Sequence, residues 1–307
     1  MPKPPVLTAR DVETLKTLNR CVVMTTAQLK EAGGFRDSRW YHYKRLKVLE
    51  KRGYIRRSGE YLELTRKGVD IVAVPGESEP VKRPKTRQDR TKLAALSRIH
   101  IEMQDWEFLP GGAAKRQYRL NRGDRLKGVL RKNEEIAVYV LSDKPTARTV
   151  QRVRQEISLL WRVRIDSALV LCPTVKALEV FGDKALALKR LMVLPYENGL
   201  RIIRKIFQPG AVEELCRRYI GDHPVKQSRK LFAEAVIKVG GQESYVAELM
   251  TNDLVKRELL QSHAGKWLRQ EGRGLYILCF ESQAKSVIGD FRETAEVVVV
   301  PDGWVNQ

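Results

Sequence analysis

The chain has 307 residues, 43% of them hydrophobic, enough for two or three domains that each bury a core. Its 57 lysines and arginines against 37 aspartates and glutamates give a formal charge of +20, so the favoured partner is a polyanion, either nucleic acid or an anionic membrane surface. No apolar run approaches the roughly 20 residues of a membrane span, and the opening MPKPPVLTARD lacks the basic-then-apolar order of a secretion signal. A cytoplasmic protein without a membrane partner is expected. Cys21, Cys172, Cys216 and Cys279 never fall into C-x-x-C spacing, and His42, His100, His223 and His263 are as scattered. Buried free thiols, no metal and no cofactor are the expectation.

In chain order, Thr8 and Asp11 form a capping box that opens a helix with Val12, Leu15 and Leu18 on one face. Thr25 and Gln28 form a second box, opening a short helix that stops at Gly33 and Gly34. Asp37 or Ser38 caps a third helix running to Gly53, with His42, Leu46 and Leu49 turned inward. At 100° per residue this sends Trp40, Tyr41, Lys44 and Lys47 outward, with Arg45 on the flank. From Tyr54 to Leu64 the chain reads as a hairpin that turns at Ser58 and Gly59. Between Arg36 and Arg57 nine basic residues face two acidic ones, a density that phosphate neutralisation explains.

L-x-x-L-E-K-R-G-Y-I at 46–55, followed by L-T-x-x-G at 64–68, resembles winged helix-turn-helix domains. The resemblance implies that the third helix enters the major groove of duplex DNA and that the hairpin, as a wing, touches the flanking backbone. Arg39, Trp40, Tyr41 and Lys44 are then the candidates for base readout, and Arg56 and Arg57 for backbone grip. Arg36, Arg45 and Lys47 complete the candidate set.

Residues 76–92, rich in proline and charge, read as a linker. A helix over 91–104 is expected to open the next domain. Strands follow at 125–131 and 136–141, then a helix at 146–161, a strand at 167–172, a helix at 175–187 and a strand at 191–195. A similar series recurs towards the C-terminus, where YILCF at 276–280 stands in the place of LVLCP at 169–173. The expected fold class is α+β multidomain: a winged helix-turn-helix at 1–75, an α/β domain at 93–208, and a second α/β domain at 209–307 that repeats it.

The order helix-β-β-α-β behind a winged helix resembles the plasmid replication-relaxation family. Its members join such a domain to one similar to PD-(D/E)xK, or restriction-endonuclease-like, nucleases. Those nucleases need P-D-G on one strand and [D/E]-x-K on the next, because Mg²⁺ takes hard carboxylate ligands and the lysine steadies developing charge. Laid on this chain, the pattern gives Leu126-Lys127-Gly128 and Tyr139-Val140-Leu141. Lys127 and Tyr139 replace the ligands, Leu141 replaces the lysine, and a cation at Lys127 would repel a metal. Asp124, Glu134, Glu135 and Asp143 fall in turns or beyond strand ends, and Glu243, Glu248 and Asp253 of the second series lack a partner on the preceding strand.

The expectation is a degenerate nuclease-like core with no catalytic residues: a non-enzymatic, sequence-specific binder of double-stranded DNA. The resemblance implies a role in plasmid or mobile-element replication or mobilisation, with replication or relaxase proteins as partners; a homodimer is open as well, because winged helices often dimerise to double their half-sites. A transcriptional regulator, and a metal-dependent nuclease or nickase with migrated acids, are the alternatives. Two basic runs, from Arg116 to Lys132 and from Arg148 to Arg164, read either as solvated faces or as a second DNA-contacting surface.

Overall fold

The computed structural model describes residues 7–32, 39–72, 84 and 86–306, with the side chains of Arg39, Trp40, Gln88, Lys92, His263 and Ala264 outside that description. Arg36, the Gly33–Gly34 helix stop and most of the expected linker therefore lie outside the described residues. The chain divides into two compact units, Met1–Gln104 and Asp105–Gln307. The architecture is α+β, with one three-stranded and two five-stranded sheets.

The first unit runs α1 (Ala9–Cys21), β1 (Val23–Thr25), α2 (Thr26–Ala32), α3 (Arg39–Lys51), β2 (Ile55–Ser58), β3 (Tyr61–Leu64), α4 (Arg66–Val72) and α5 (Arg87–Glu102). Local chemistry sets its helix starts. The Thr8 hydroxyl accepts from Asp11 N–H while Asp11 accepts from Thr8 N–H, and Thr25 and Gln28 exchange the same pair of bonds. Leu15, Leu18, Leu29, Leu46, Leu49, Ile55 and Leu62 form the core. Strand β3 lies between β1 and β2, antiparallel to both. The glycine of L-T-x-x-G is required sterically: a Cβ on Gly68 would stand 2.1 Å from the Tyr54 carbonyl oxygen.

One boundary differs from expectation. Helix α5 starts at a capping box of Thr86 and Asp89 and belongs to the first unit; it does not open the second. Its buried Ser97 hydroxyl donates to the Val23 carbonyl at 2.5 Å, Arg90 pairs with Glu63 at 2.5 Å, Arg98 pairs with Glu31 at 2.8 Å, and Ile101 enters the core. The stretch 87–92 is thus helix, although composition suggested linker.

The second unit runs β4 (Glu107–Pro110), α6 (Gly111–Gln117), β5 (Gly128–Arg131), β6 (Glu135–Val140), α7 (Ala147–Ser158), β7 (Ser167–Cys172), α8 (Val175–Phe181), β8 (Arg190–Pro195), α9 (Tyr196–Ile206), α10 (Ala211–Tyr219), β9 (Val225–Gln227), β10 (Ala235–Val239), β11 (Gln242–Glu248), α11 (Leu254–Leu259), α12 (Gly265–Glu271), β12 (Gly274–Phe280), α13 (Glu281–Phe291) and β13 (Glu296–Val300). Helix α7 is shorter than expected and gives way to a 3-10 turn, Leu160–Val163. Helix α8 stops at Phe181 because Gly182 takes φ 77.

The two five-stranded sheets have one topology. Each begins with three antiparallel strands, β4-β5-β6 or β9-β10-β11, and continues with two parallel ones, β7-β8 or β12-β13. Helices supply the crossovers that parallel pairing demands. The registers match row by row: Pro110, Gly128, Val138, Leu169 and Met192 cross the first sheet as Gln227, Ala235, Val246, Tyr276 and Glu296 cross the second. The crossover helices start at the side-chain caps Thr146 and Asp253.

Beyond α5, the expected domains at 93–208 and 209–307 lie together in one compact unit, with a core cluster in each half. Met192 bridges Asp253, the Asp253 carboxylate accepts Leu191 N–H at 3.0 Å, and Asn252 Nδ2 donates to the Val193 carbonyl at 2.8 Å.

Candidate nucleic-acid interface

On α3, His42, Leu46 and Leu49 are buried, while Tyr41, Lys44 and Lys47 are exposed. Burial holds the His42 imidazole below its ordinary pKa. Tyr43, 46% exposed, joins the outer face; sequence reasoning passed over it, although 100° per residue puts position 43 beside 47. The backbone of Arg39 and Trp40 forms the first turn of α3.

Arg45 departs from expectation. It turns inward, its Nε donating to Asp11 Oδ1 at 3.1 Å and its Nη2 pairing with the other carboxylate oxygen. Burial would raise the Asp11 carboxyl, but Arg45 and the Thr8 backbone outweigh it and hold it below its usual value. Arg45 thus ties α3 to α1. On the hairpin, Arg56 is shared with buried Glu63 at 2.5 Å, whereas Arg57 is exposed, donating to the Thr26 hydroxyl at 3.0 Å and lying 3.6 Å from Glu50.

In the second unit, folding brings together the two basic runs that lie apart in sequence. Arg125 N–H donates to Glu156 Oε2 at 2.6 Å, so the loop after α6 lies along α7. Arg119, Arg122, Arg125, Arg148, Arg152, Arg162 and Arg164 are all exposed. Val150, Val153 and Ile157 bury the opposite side of α7 against the sheet. Two members of the runs serve structure instead. Arg154 caps α8 through the Phe181 and Lys184 carbonyls at 3.2 and 2.6 Å, and Arg131 binds the Tyr118 hydroxyl at 2.7 Å and Glu135 at 3.1 Å.

The candidate nuclease positions adjoin. Gly128 faces Val138, and Lys127 N–H donates to the same Val138 carbonyl at 2.8 Å, so two residues oppose one at the end of β5, and it is Leu126, not Lys127, that joins Tyr139 in the core. Tyr139 is 2% exposed, packed with Val129, Ala137 and Leu141 beneath α7. Burial first, then the charges of Glu156 and Asp124, push its phenol above the ordinary range. Nearby acids are engaged: Glu135 accepts from the Tyr118 hydroxyl at 2.6 Å, and Glu134 pairs with Arg190 at 2.5 Å. Among the described residues no three His, Cys, Asp or Glu side chains are grouped to hold a metal.

The second half differs at the same place. Glu234 occupies the position of Lys127, its N–H donating to the Val246 carbonyl at 2.9 Å. Its carboxylate meets Lys256 Nζ at 2.5 Å, and Glu248 meets the same ammonium at 2.8 Å. The Thr251 hydroxyl donates to Glu248 at 2.8 Å. Burial alone would depress the Lys256 pKa, but Glu234, Glu248 and Asp253 outweigh it and hold it above the ordinary lysine value. Sequence reasoning missed Glu234, and only the row-by-row register points to it. A cation is already supplied by the chain, so this is a closed ion network.

Compared with protein-family models, curated proteins and solved structures, the chain matches none of them.

Proposed function

We propose that the chain is a sequence-specific double-stranded-DNA-binding protein. In this reading the first unit is a winged helix-turn-helix, and the second is a scaffold similar to restriction-endonuclease-like nucleases in which Lys127, Tyr139 and Leu141 stand where the metal ligands and lysine would be. One observation carries it: α3 is locked from inside by Leu46, Leu49 and the Arg45–Asp11 pair, and it presents Tyr41, Tyr43, Lys44 and Lys47 outward. A rigid helix with aromatic and ammonium groups on one face suits a major groove between phosphates. The antiparallel β4-β5-β6 meander followed by the α7 crossover supports the nuclease-like comparison. The resemblance to the replication-relaxation family gives the setting, replication or mobilisation of a plasmid or mobile element beside replication or relaxase proteins.

Selection of bound fragments from a genomic library, followed by anisotropy on the recovered duplex, tests it. Lys44→Ala with Lys47→Ala reduces affinity and flattens the dependence of log K on log salt by about 2, as loss of two phosphate contacts requires. Unchanged affinity in a normally folded double variant refutes the reading. The recovered site separates a replication origin from an operator. Supercoiled plasmid that stays intact in Mg²⁺ counts against a nuclease working through Glu234 and Glu248.

A further inference from the structure

We propose that the ridge formed by α7 and its following 3-10 turn binds single-stranded DNA, with the Trp161 ring as the platform on which an unpaired base stacks. This rests on the DNA-binding reading above and adds a second form of DNA at a second place in the chain.

Trp161 is 62% exposed and Leu159 beside it 43%. Leaving a large ring in water forgoes about 2 kcal/mol of burial, and the other half of the unit does not forgo it. There the counterpart of Trp161, counted from the matching caps Thr146 and Asp253, is Leu268, which is buried, and the adjacent Trp267 stacks on Phe232 at 5.2 Å and 13°. Trp161 is instead held outward by a turn that ends in Arg164 at φ 62. That left-handed conformation costs an L-residue about 1 kcal/mol, and the Arg164 N–H secures it by donating to the Trp161 carbonyl at 3.1 Å.

The surroundings select the ligand. The Arg162 guanidinium carbon lies 5.7 Å from the centre of the Trp161 ring. Arg148 and Arg152 stand one helical turn apart on the exposed side of α7, with the charge of Arg152 also acting on Glu156. Between Lys115 and Arg164 fourteen basic residues face five acidic ones. The exposed positions 148, 151, 152 and 155 are Arg, Gln, Arg and Gln, because the apolar positions of α7 are already used on the sheet. The ridge therefore offers cations, amides, one ring and the single leucine beside it, too little for the apolar stripe that insertion into a membrane requires. Paired bases inside a duplex expose no face for stacking. A phosphodiester chain with free bases matches both the cations and the ring.

The test uses the full chain with oligo(dT) of about 12 nucleotides, within the usual site sizes, and with the selected duplex. Wild type binds oligo(dT) with quenching of tryptophan emission. Trp161→Ala weakens that binding about 10-fold, the loss of one base–aromatic stack, and abolishes the quench; Trp161→Phe restores the affinity without the quench. Duplex affinity is the same in all three, while Lys44→Ala with Lys47→Ala weakens the duplex alone. No binding of oligo(dT), or wild-type affinity in Trp161→Ala, overturns the proposal and leaves the duplex reading standing. Loss of the duplex result with the Trp161 effect intact does the reverse. A blue shift of Trp161 emission on phosphatidylserine vesicles, with no response to oligo(dT), also overturns it.

Discussion

The two five-stranded sheets share strand order, direction and register, yet they are stabilised differently at the same address. In the first, Lys127 N–H bonds to the Val138 carbonyl where β5 meets β6, and the crossover helix covers the buried Tyr139 with valine and isoleucine. In the second, Glu234 takes the place of Lys127, Glu248 lies at the end of the adjoining strand, and Lys256 of the crossover helix closes the network. The difference teaches that a sheet topology leaves this corner chemically open. One half closes it by apolar packing and the other by an ion network, and each choice then constrains its neighbours.

The largest expected effect breaks the comparison at the ion network. Lys256→Met leaves Glu234 and Glu248 buried without a counter-charge and costs about 3–5 kcal/mol, whereas Thr149→Ala at the matching helix position of the first half costs under about 0.5 kcal/mol. Urea denaturation measures both, and equal losses would refute the contrast. Next is the matched pair Gly128 and Ala235. A Cβ on Gly128 would lie 2.4 Å from the Phe108 ring and 2.7 Å from the Leu109 carbonyl oxygen, so Gly128→Ala costs about 2 kcal/mol of overpacking. Ala235→Gly costs about 1 kcal/mol through chain entropy.

A smaller difference separates the two buried tyrosines. Tyr245 donates to Glu271 at 2.5 Å and accepts from Arg273 at 2.7 Å, so Tyr245→Phe costs about 1.5 kcal/mol. Tyr139 is held by packing, and Tyr139→Phe shifts stability by under about 0.5 kcal/mol; thermal unfolding distinguishes them. The smallest effect is one of pH. Because the folded-state pKa of Lys256 is raised, its contribution is fully present below the unfolded lysine value of about 10.4 and is lost as pH rises beyond it. The stability gap between wild type and Lys256→Met therefore narrows above about pH 10.4, and a constant gap would show that Lys256 is not held charged by its neighbours.

Much of the first unit was legible because its signals are local. The Thr8–Asp11 and Thr25–Gln28 boxes each act over three residues, and the β2–β3 turn at Gly59 closes within two. Strand β1 was not legible, since three residues become a strand only when β3 lies beside them. Periodicity placed Tyr41, Lys44 and Lys47 outward, but it could not see that Arg45 finds a carboxylate at Asp11, which tertiary packing buries beside it. In the second unit the alternation of strands and helices was readable, as was the likeness of LVLCP to YILCF.

By itself the sequence determined the helix starts, the hairpin, the alternating β and α elements of the second unit and the excess of positive charge. These depend on bonds and periodicities spanning a few residues. Tertiary structure alone decided which unit receives α5, which arginines are spent on structure, that Arg125 brings two basic runs together along α7, and that Glu234 stands where Lys127 does. Those outcomes depend on which distant groups meet once water is excluded, and a buried charge accepts only the partner that packing delivers.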